Sequence, residues 1–352
     1  MNIIYFGYNS FLKHKRGVEN VIEFQSNTFP FIKVYYIHWG SINGVYKSNK
    51  FISISIKNCW YWPIILNLLL IKIHKKNKFF IHSHNPIFSF FTVFKTNLFT
   101  VHDGLFYLSK QRNHKLKYLF YLIEYINYYR CEYVHFISDF SIKQSLFGSR
   151  SNYKVIPNTS HFEPFHNINI VKKSIINANK NTSVLIVRSI EERARFDLII
   201  ELAKKTINSK FIFNVVGKGP LLKSYQDIVE NSGLNNLVFH GYLDDKTLLE
   251  YYLKCDLVLM IAEFGEGFGL PVIEAYLFNK PVIASNKCAI PEIIFSKEYL
   301  FENSVESIIE KINFIIKTES NMVDFHEYYI NKYSNKVVFA EYHQLYNKLF
   351  LK

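Results

Sequence analysis

Several things are scarce in this sequence of 352 residues. There are four cysteines, Cys59, Cys131, Cys255 and Cys288, and no two have the spacing of a metal site or a redox pair. That excludes a disulfide framework and fits a reducing cytoplasm. No apolar run is long enough to span a bilayer. The longest, Trp60–Ile71, is flanked by Lys57 and Lys72 and stops at about 12 residues. The opening MNIIYFGYNSF lacks a basic segment followed by an apolar one, so no signal peptide is expected. No Asp-x-Asp pair suggests a metal site, and no metal or cofactor is expected. Acidic residues are scarce on one side only. Residues 1–165 hold 20 Lys and Arg against 7 Asp and Glu, while residues 166–352 hold 22 of each. The whole excess of +13 therefore sits in the first half. A basic half attracts an anionic partner: nucleic acid, an anionic membrane surface or a phosphorylated substrate.

What is present is a large apolar fraction, 49%, arranged in short runs. Asn2–Phe6, Ile32–Tyr36, Phe51–Ile56, Phe79–Ile81, Leu98–Val101 and Tyr133–Ile137 read as buried strands. Val18–Gln25, Ile64–Lys75, Lys115–Arg130 and Phe140–Phe147 read as helices between them. Ser138 is placed to cap the last of these. After the breaker Pro157-Asn158, a polar, Asn-rich linker is expected over Thr159–Lys180. The alternation then restarts. Strands are expected at 183–187, 211–216, 237–240, 257–261 and 281–284, and the tail from Ser304 reads as helices only. The expected fold class is α/β: two Rossmann-like, doubly wound domains facing a central cleft. The expected boundaries are 1–165 and 166–334, with a C-terminal helix near 335–352 packing back on the first domain.

The densest chemical signal is Glu263-Phe-Gly-Glu266-Gly-Phe268-Gly269-Leu270-Pro271-Val-Ile-Glu274-Ala275. Three glycines within five residues follow a strand, and Pro271 stands where a helix begins. Such a loop lets backbone N–H groups approach an anion at a helix N-terminus. Glu266 lies in the loop and Glu274 about one turn into the helix, placed to accept from hydroxyls of one ligand. A second cluster follows the strand SVLIV. The chain has seven arginines against 35 lysines, yet Arg188, Arg193 and Arg195 fall within eight positions. Arginine at these sites suits planar, bidentate phosphate recognition. Gly217-Lys218-Gly219-Pro220 reads as a structural turn. His82 and His84 lack a third metal ligand and read as cleft or structural residues.

The run from Asn236 to Glu292 resembles retaining glycosyltransferase family 4, of GT-B architecture. The E-x7-E motif is present as Glu266 and Glu274, followed by Lys280-Pro281-Val282-Ile283-Ala284-Ser285 and Ile290-Pro291-Glu292. The resemblance implies that Glu274 holds the nucleotide ribose. It places Glu266 beside the donor sugar with the backbone of Phe268, Gly269, Leu270 and Pro271. Arg188 and Arg193 then bind the donor diphosphate, with Arg195 a rival for the second position because Ala194 and Arg195 replace the usual continuation. Gly17-Val18-Glu19 resembles the family's glycine loop, with Arg16 in place of its first glycine, and Gly17 is implied to contact substrate. Val101-His102-Asp103 resembles a segment whose His102 reaches the donor sugar.

The implied activity is metal-independent transfer of a sugar from a nucleotide diphosphate sugar to a glycan or polyprenyl-diphosphate-linked acceptor. Retention of anomeric configuration comes with the family. Lipopolysaccharide O-antigen or capsule biosynthesis is the expected setting, at the inner face of the cell membrane. Lys72, Lys75, Lys76 and Lys78 are candidates for a headgroup-binding patch. A nucleotide-sugar epimerase or hydrolase of the same architecture is the alternative. A nucleic-acid-binding protein is the alternative of another class, although no basic-aromatic module supports it.

Overall fold

The computed structural model describes residues 2–10, 17–27, 32–47, 51–146, 152–165, 181–318 and 323–350. The chain divides into two compact units, Met1–His161 with Val338–Lys352, and Phe162–Val337. Arg16 and residues 166–180 of the expected linker lie outside the described residues.

The first unit is built on eight strands: β1 (Asn2–Phe6), β2 (Val34–Gly40), β3 (Gly44–Lys47), β4 (Phe51–Lys57), β5 (Phe79–Ser83), β6 (Leu98–Val101), β7 (Tyr133–Phe136) and β8 (Tyr153–Val155). Their order is β3-β4-β2-β1-β5-β6-β7-β8, parallel throughout except for the antiparallel β3. Among the described residues, the helices α1 (Gly17–Ser26), α2 (Trp62–His74), α3 (Pro86–Phe91), α4 (Leu105–Gln111), α5 (Lys117–Arg130) and α6 (Asp139–Gln144) accompany them. Strand alternation sends β1 to two cores at once. Ile3 and Tyr5 pack with Tyr342, Leu345 and Tyr346 of the last helix, Asn335–Phe350. Ile4 and Phe6 pack with Leu66 and Leu70 of α2. Both faces are covered, which is why these strands read as continuous apolar runs.

A polar seam crosses this core. The Tyr5 and Tyr346 hydroxyls are 2.8 Å apart. His82 bridges Tyr346, at 2.5 Å, and the Thr100 hydroxyl, at 2.7 Å. His135 bridges Thr100 and the Ile156 carbonyl, each at 2.9 Å. Each buried polar atom in this row has a partner. Ser138 caps α6 as its position suggests, accepting from Ser141 N at 3.1 Å.

The second unit has six parallel strands: β9 (Thr182–Val187), β10 (Phe211–Val216), β11 (Leu237–Gly241), β12 (Leu257–Met260), β13 (Val282–Ser285) and β14 (Leu300–Phe301). Their order is β11-β10-β9-β12-β13-β14. The helices are α7 (Phe196–Lys205), α8 (Leu222–Asn231), α9 (Asp245–Lys254), α10 (Leu270–Leu277), α11 (Ile290–Ile293), α12 (Val305–Lys317) and α13 (Phe325–Tyr333), so the last helix is α14. Phe162, within the stretch expected as linker, is fully buried against Tyr252 and Phe278. Chain order reverses between β9 and β12. The loops after those two strands therefore diverge, and a ligand can enter between them.

Candidate active site

Arg188 follows β9 and Glu266 follows β12, so the reversal brings them together. Arg188 Nη2 lies 3.0 Å from Glu266 Oε2, with the arginine side chain 5% exposed. Its Nη1 donates to Met260 Sδ at 3.2 Å. Burial pulls the Arg188 pKa down, Glu266 opposes that shift, and the nearby Arg193 adds to it. The guanidinium still carries its proton at neutral pH. Arg193 lies in a short turn, Glu192–Ala194 with Arg195 closing it, and its Nη1 donates to the Gly265 carbonyl. Its own carbonyl accepts from Glu263 N at 2.9 Å. Arg193 Nε also lies 3.5 Å from Glu191 Oε2, so two guanidinium groups and two carboxylates meet at the glycine loop.

Arg195 is engaged differently. It adopts φ 49° and ψ 48°, the left-handed region. It grips Asp197 through Nε at 3.0 Å and Nη2 at 2.8 Å, and Glu263 through Nη1 at 3.1 Å. Glu263 also accepts from Lys287 Nζ and Asn303 Nδ2, each at 2.7 Å. Its carboxyl is held below the usual range, by Lys287 above all. Asn303 then donates to the Ala262 carbonyl at 3.0 Å, while Ala262 N donates to Ser285 Oγ at 3.0 Å. This lattice fixes the start of the glycine loop.

The loop ends at Gly269, which precedes α10 with φ 99°. A Cβ there would stand 3.0 Å from Ile293 Cδ1, so glycine answers both backbone shape and space. Leu270 and Pro271 open the helix, and Phe268 is buried, its ring nearly perpendicular to that of Tyr333. Glu274 is buried deeper in α10, where its Oε2 accepts from the Tyr252 hydroxyl at 2.6 Å. Gly217 supports the same site from β10. Its φ is 149°, and a Cβ there would fall 1.7 Å from the Arg188 carbonyl oxygen.

Gly17 and His102 belong to the first unit. Gly17 and Glu19 form the first turn of α1 rather than a loop. Glu19 is buried and accepts from Asn9 N at 3.1 Å. His102 follows β6, and burial first, then the charge of His135, lowers its pKa to about 3. Its Nε2 lies 2.8 Å from His84 Nδ1. Among the described residues, no group of three His, Cys, Asp or Glu is arranged to hold a metal ion.

The residues that sequence reasoning missed are Met260, Tyr252, Ser285, Lys287 and Asn303. Ser285 lies in a quoted run, but neither periodicity nor spacing marks any of the five as a partner of the glycine loop.

Residues 167–332 match the family model described as glycosyl transferases group 1. A Klebsiella pneumoniae protein, an uncharacterized 41.2 kDa protein in the cps region, is 28% identical over 65% of this chain and 66% of its own length. The Escherichia coli O-antigen biosynthesis glycosyltransferase WclY is 26% identical over 46% of this chain and 45% of its own. The chain therefore covers less than two thirds of either relative. Anabaena HepE, solved in complex with UDP-glucose, superimposes with a TM-score of 0.78 over 99% of this chain and all of that one, at 15% identity. The two parallel sheets have the GT-B fold, and the match to the glycosyl transferases group 1 model falls within the second unit.

Proposed function

We propose that this protein is a retaining glycosyltransferase of family 4, moving a sugar from a nucleotide diphosphate sugar to a glycan or lipid-linked glycan. The observation that carries this reading is the Arg188–Glu266 pair at 3.0 Å, set where the second sheet reverses its strand order. A departing nucleoside diphosphate develops negative charge. Arg188, Arg193 and the N-terminus of α10 can offset that charge without a metal. Glu266 then contacts the donor sugar, Glu274 the ribose, and the backbone of Phe268, Gly269, Leu270 and Pro271 the diphosphate side. The bidentate grip on Asp197 favours Arg193 over Arg195 for the second phosphate contact. His102 and Gly17 supply substrate contacts from the first unit.

The relatives in O-antigen biosynthesis and in a cps region support an acceptor in surface-polysaccharide assembly. No helix among the described residues is long and apolar enough to cross a membrane. Peripheral binding to the inner face of the cell membrane is the reading we favour, because of one surface on the first unit. Phe90–Val93 at the end of α3 is gripped by Asn67 of α2 and by Arg130 of α5. The two helices therefore flank the same turn. Ile64 and Leu68 of α2, Val93, and Tyr118 and Tyr129 along α5 are exposed, as is Trp60, at 88%. Between Lys57 and Arg130 the only carboxylates are Asp103 and the buried Glu124, against eleven Lys and Arg. Exposed aromatics amid an excess of cations suit an anionic lipid interface.

The test is a thermal-shift screen against uridine-, guanosine- and thymidine-diphosphate sugars, followed by a transfer assay with the donor that stabilises. One class of donor should raise the melting temperature and be consumed only with a glycan acceptor present. Stabilisation by none, with no turnover, would refute the assignment.

A further inference from the structure

His102 is the half-buried end of a buried relay. Its Nε2 lies 2.8 Å from His84 Nδ1, His84 Nε2 lies 2.9 Å from Gln25 Oε1, and Gln25 Nε2 donates to the Tyr342 hydroxyl at 2.8 Å. Gln25 comes from α1, His84 from the loop after β5 and Tyr342 from α14. His84 and Gln25 are each 1% exposed. Neither has a role in the donor chemistry assigned to the second unit.

The order of protons along this row follows from its far end. An amide oxygen only accepts, so His84 Nε2 carries a hydrogen. Burial, with His82, His102 and His135 adding to it, keeps His84 neutral. A neutral imidazole has one N–H, so His84 Nδ1 presents a lone pair and accepts from His102 Nε2. His102 is neutral as well. Its remaining nitrogen, Nδ1, is therefore left unprotonated. The ring lines a cavity of about 210 Å³ in the first unit, together with His84, Tyr8, Asp103, Leu105 and Tyr128.

We infer that Gln25 and His84 are positioning residues that lock His102 as its Nε2–H tautomer, so that Nδ1 accepts a hydrogen bond from a hydroxyl of the bound substrate. A lone pair there welcomes a sugar hydroxyl and repels a carboxylate. The inference rests on the reading that His102 touches substrate, but the state of the ring can be measured without substrate.

The test is a long-range proton–nitrogen NMR spectrum of the full chain labelled at histidine, with His102 assigned by the signals lost in His102→Asn. At neutral pH His102 should show the Nε2–H pattern in the wild type. Gln25→Met keeps the side-chain length and removes both hydrogen bonds. It should mix the two tautomers at His102 and lower kcat for the stabilising nucleotide sugar about tenfold, with KM little changed. A wild-type His102 with its hydrogen on Nδ1 overturns the inference, whether or not the variant folds. So does a folded Gln25→Met with unchanged tautomer and unchanged kcat. Failure of the functional reading looks different: the wild type shows the Nε2–H ring but turns over no nucleotide sugar.

Discussion

Arg188 and Glu266 are 78 positions apart in sequence and 3.0 Å apart in the structure, the arginine almost fully out of solvent. A guanidinium in that setting needs its carboxylate, and a carboxylate so held has a fixed orientation. Removing one partner leaves the other buried and uncompensated. Arg188→Ala should cost about 3 kcal/mol of stability, read by urea denaturation. It should also abolish sugar transfer. The double variant Arg188→Met with Glu266→Gln should recover most of the stability and none of the activity. Recovery of both would reduce the pair to a structural contact.

Two glycines near this pair should respond unequally to alanine. At Gly217 the added Cβ would meet the Arg188 carbonyl oxygen at 1.7 Å, with φ 149° besides. A backbone atom of a central strand end cannot move aside. Gly217→Ala should destabilise by more than about 3 kcal/mol and displace Arg188, so donor binding falls even in the folded fraction. At Gly269 the neighbour is the Ile293 methyl at 3.0 Å, which can rotate away. The residual cost is the φ of 99°, on the order of 1–2 kcal/mol. Melting curves that rank the two variants the other way would contradict the geometry.

How much of this could be read beforehand depended on whether a feature is local. Glu266, Gly269, Pro271 and Glu274 announced themselves because a glycine loop and a proline-started helix are short-range patterns. The partners that hold them were silent. Tyr252 reaches Glu274 across 22 positions and Met260 reaches Arg188 across 72, and no periodicity links either pair. The strand read as Phe79–Ile81 continues through His82 and Ser83. Polar letters hid its end, yet His82 is fully buried because Thr100 and Tyr346 satisfy both ring nitrogens. The β3 edge and the α3 and α4 helices are four to seven residues long, too short to show a period. The helix read as Lys115–Arg130 starts at Lys117, and the one read as Phe140–Phe147 runs Asp139–Gln144.

The buried histidines predict acid sensitivity of the first unit. His102 is neutral in the fold down to about pH 3, and His135 down to about pH 4, against an ordinary value of 6.5. Below that ordinary value the unfolded chain takes up protons that the fold refuses. Stability therefore rises with pH in this window and falls as pH drops from 6.5 toward 4. Each such histidine adds a slope of about 1.4 kcal/mol per pH unit. His82 and His84 are shifted the same way. The buried Glu124 runs against them, since burial raises its pKa and it gains protons in the fold. Burial lowers His38 as well; with these five histidines opposed by Glu124, near-UV dichroism should show the first unit unfolding between pH 6 and pH 4.5. A melting temperature unchanged from pH 7 to pH 4.5 would rule out buried neutral rings.

The exposed face of α2 and α5 makes a prediction about lipid that separates its two components. Trp60, Tyr118 and Tyr129 are 88%, 74% and 72% exposed, so replacing all three with serine removes little packing. The triple variant should keep its melting temperature and its donor-induced thermal shift. It should lose at least about tenfold in binding to vesicles of phosphatidylglycerol and phosphatidylethanolamine, at low and high salt alike, because apolar burial is not screened. Changing Lys72, Lys75, Lys76 and Lys78 to glutamine acts through charge, at about 1 kcal/mol per lysine near an anionic surface. That variant should bind more weakly at low salt and converge on the wild type as salt rises. A wild type that fails to sediment with anionic vesicles at low salt would sink the membrane reading. The basic excess of the first half would then serve solubility rather than docking.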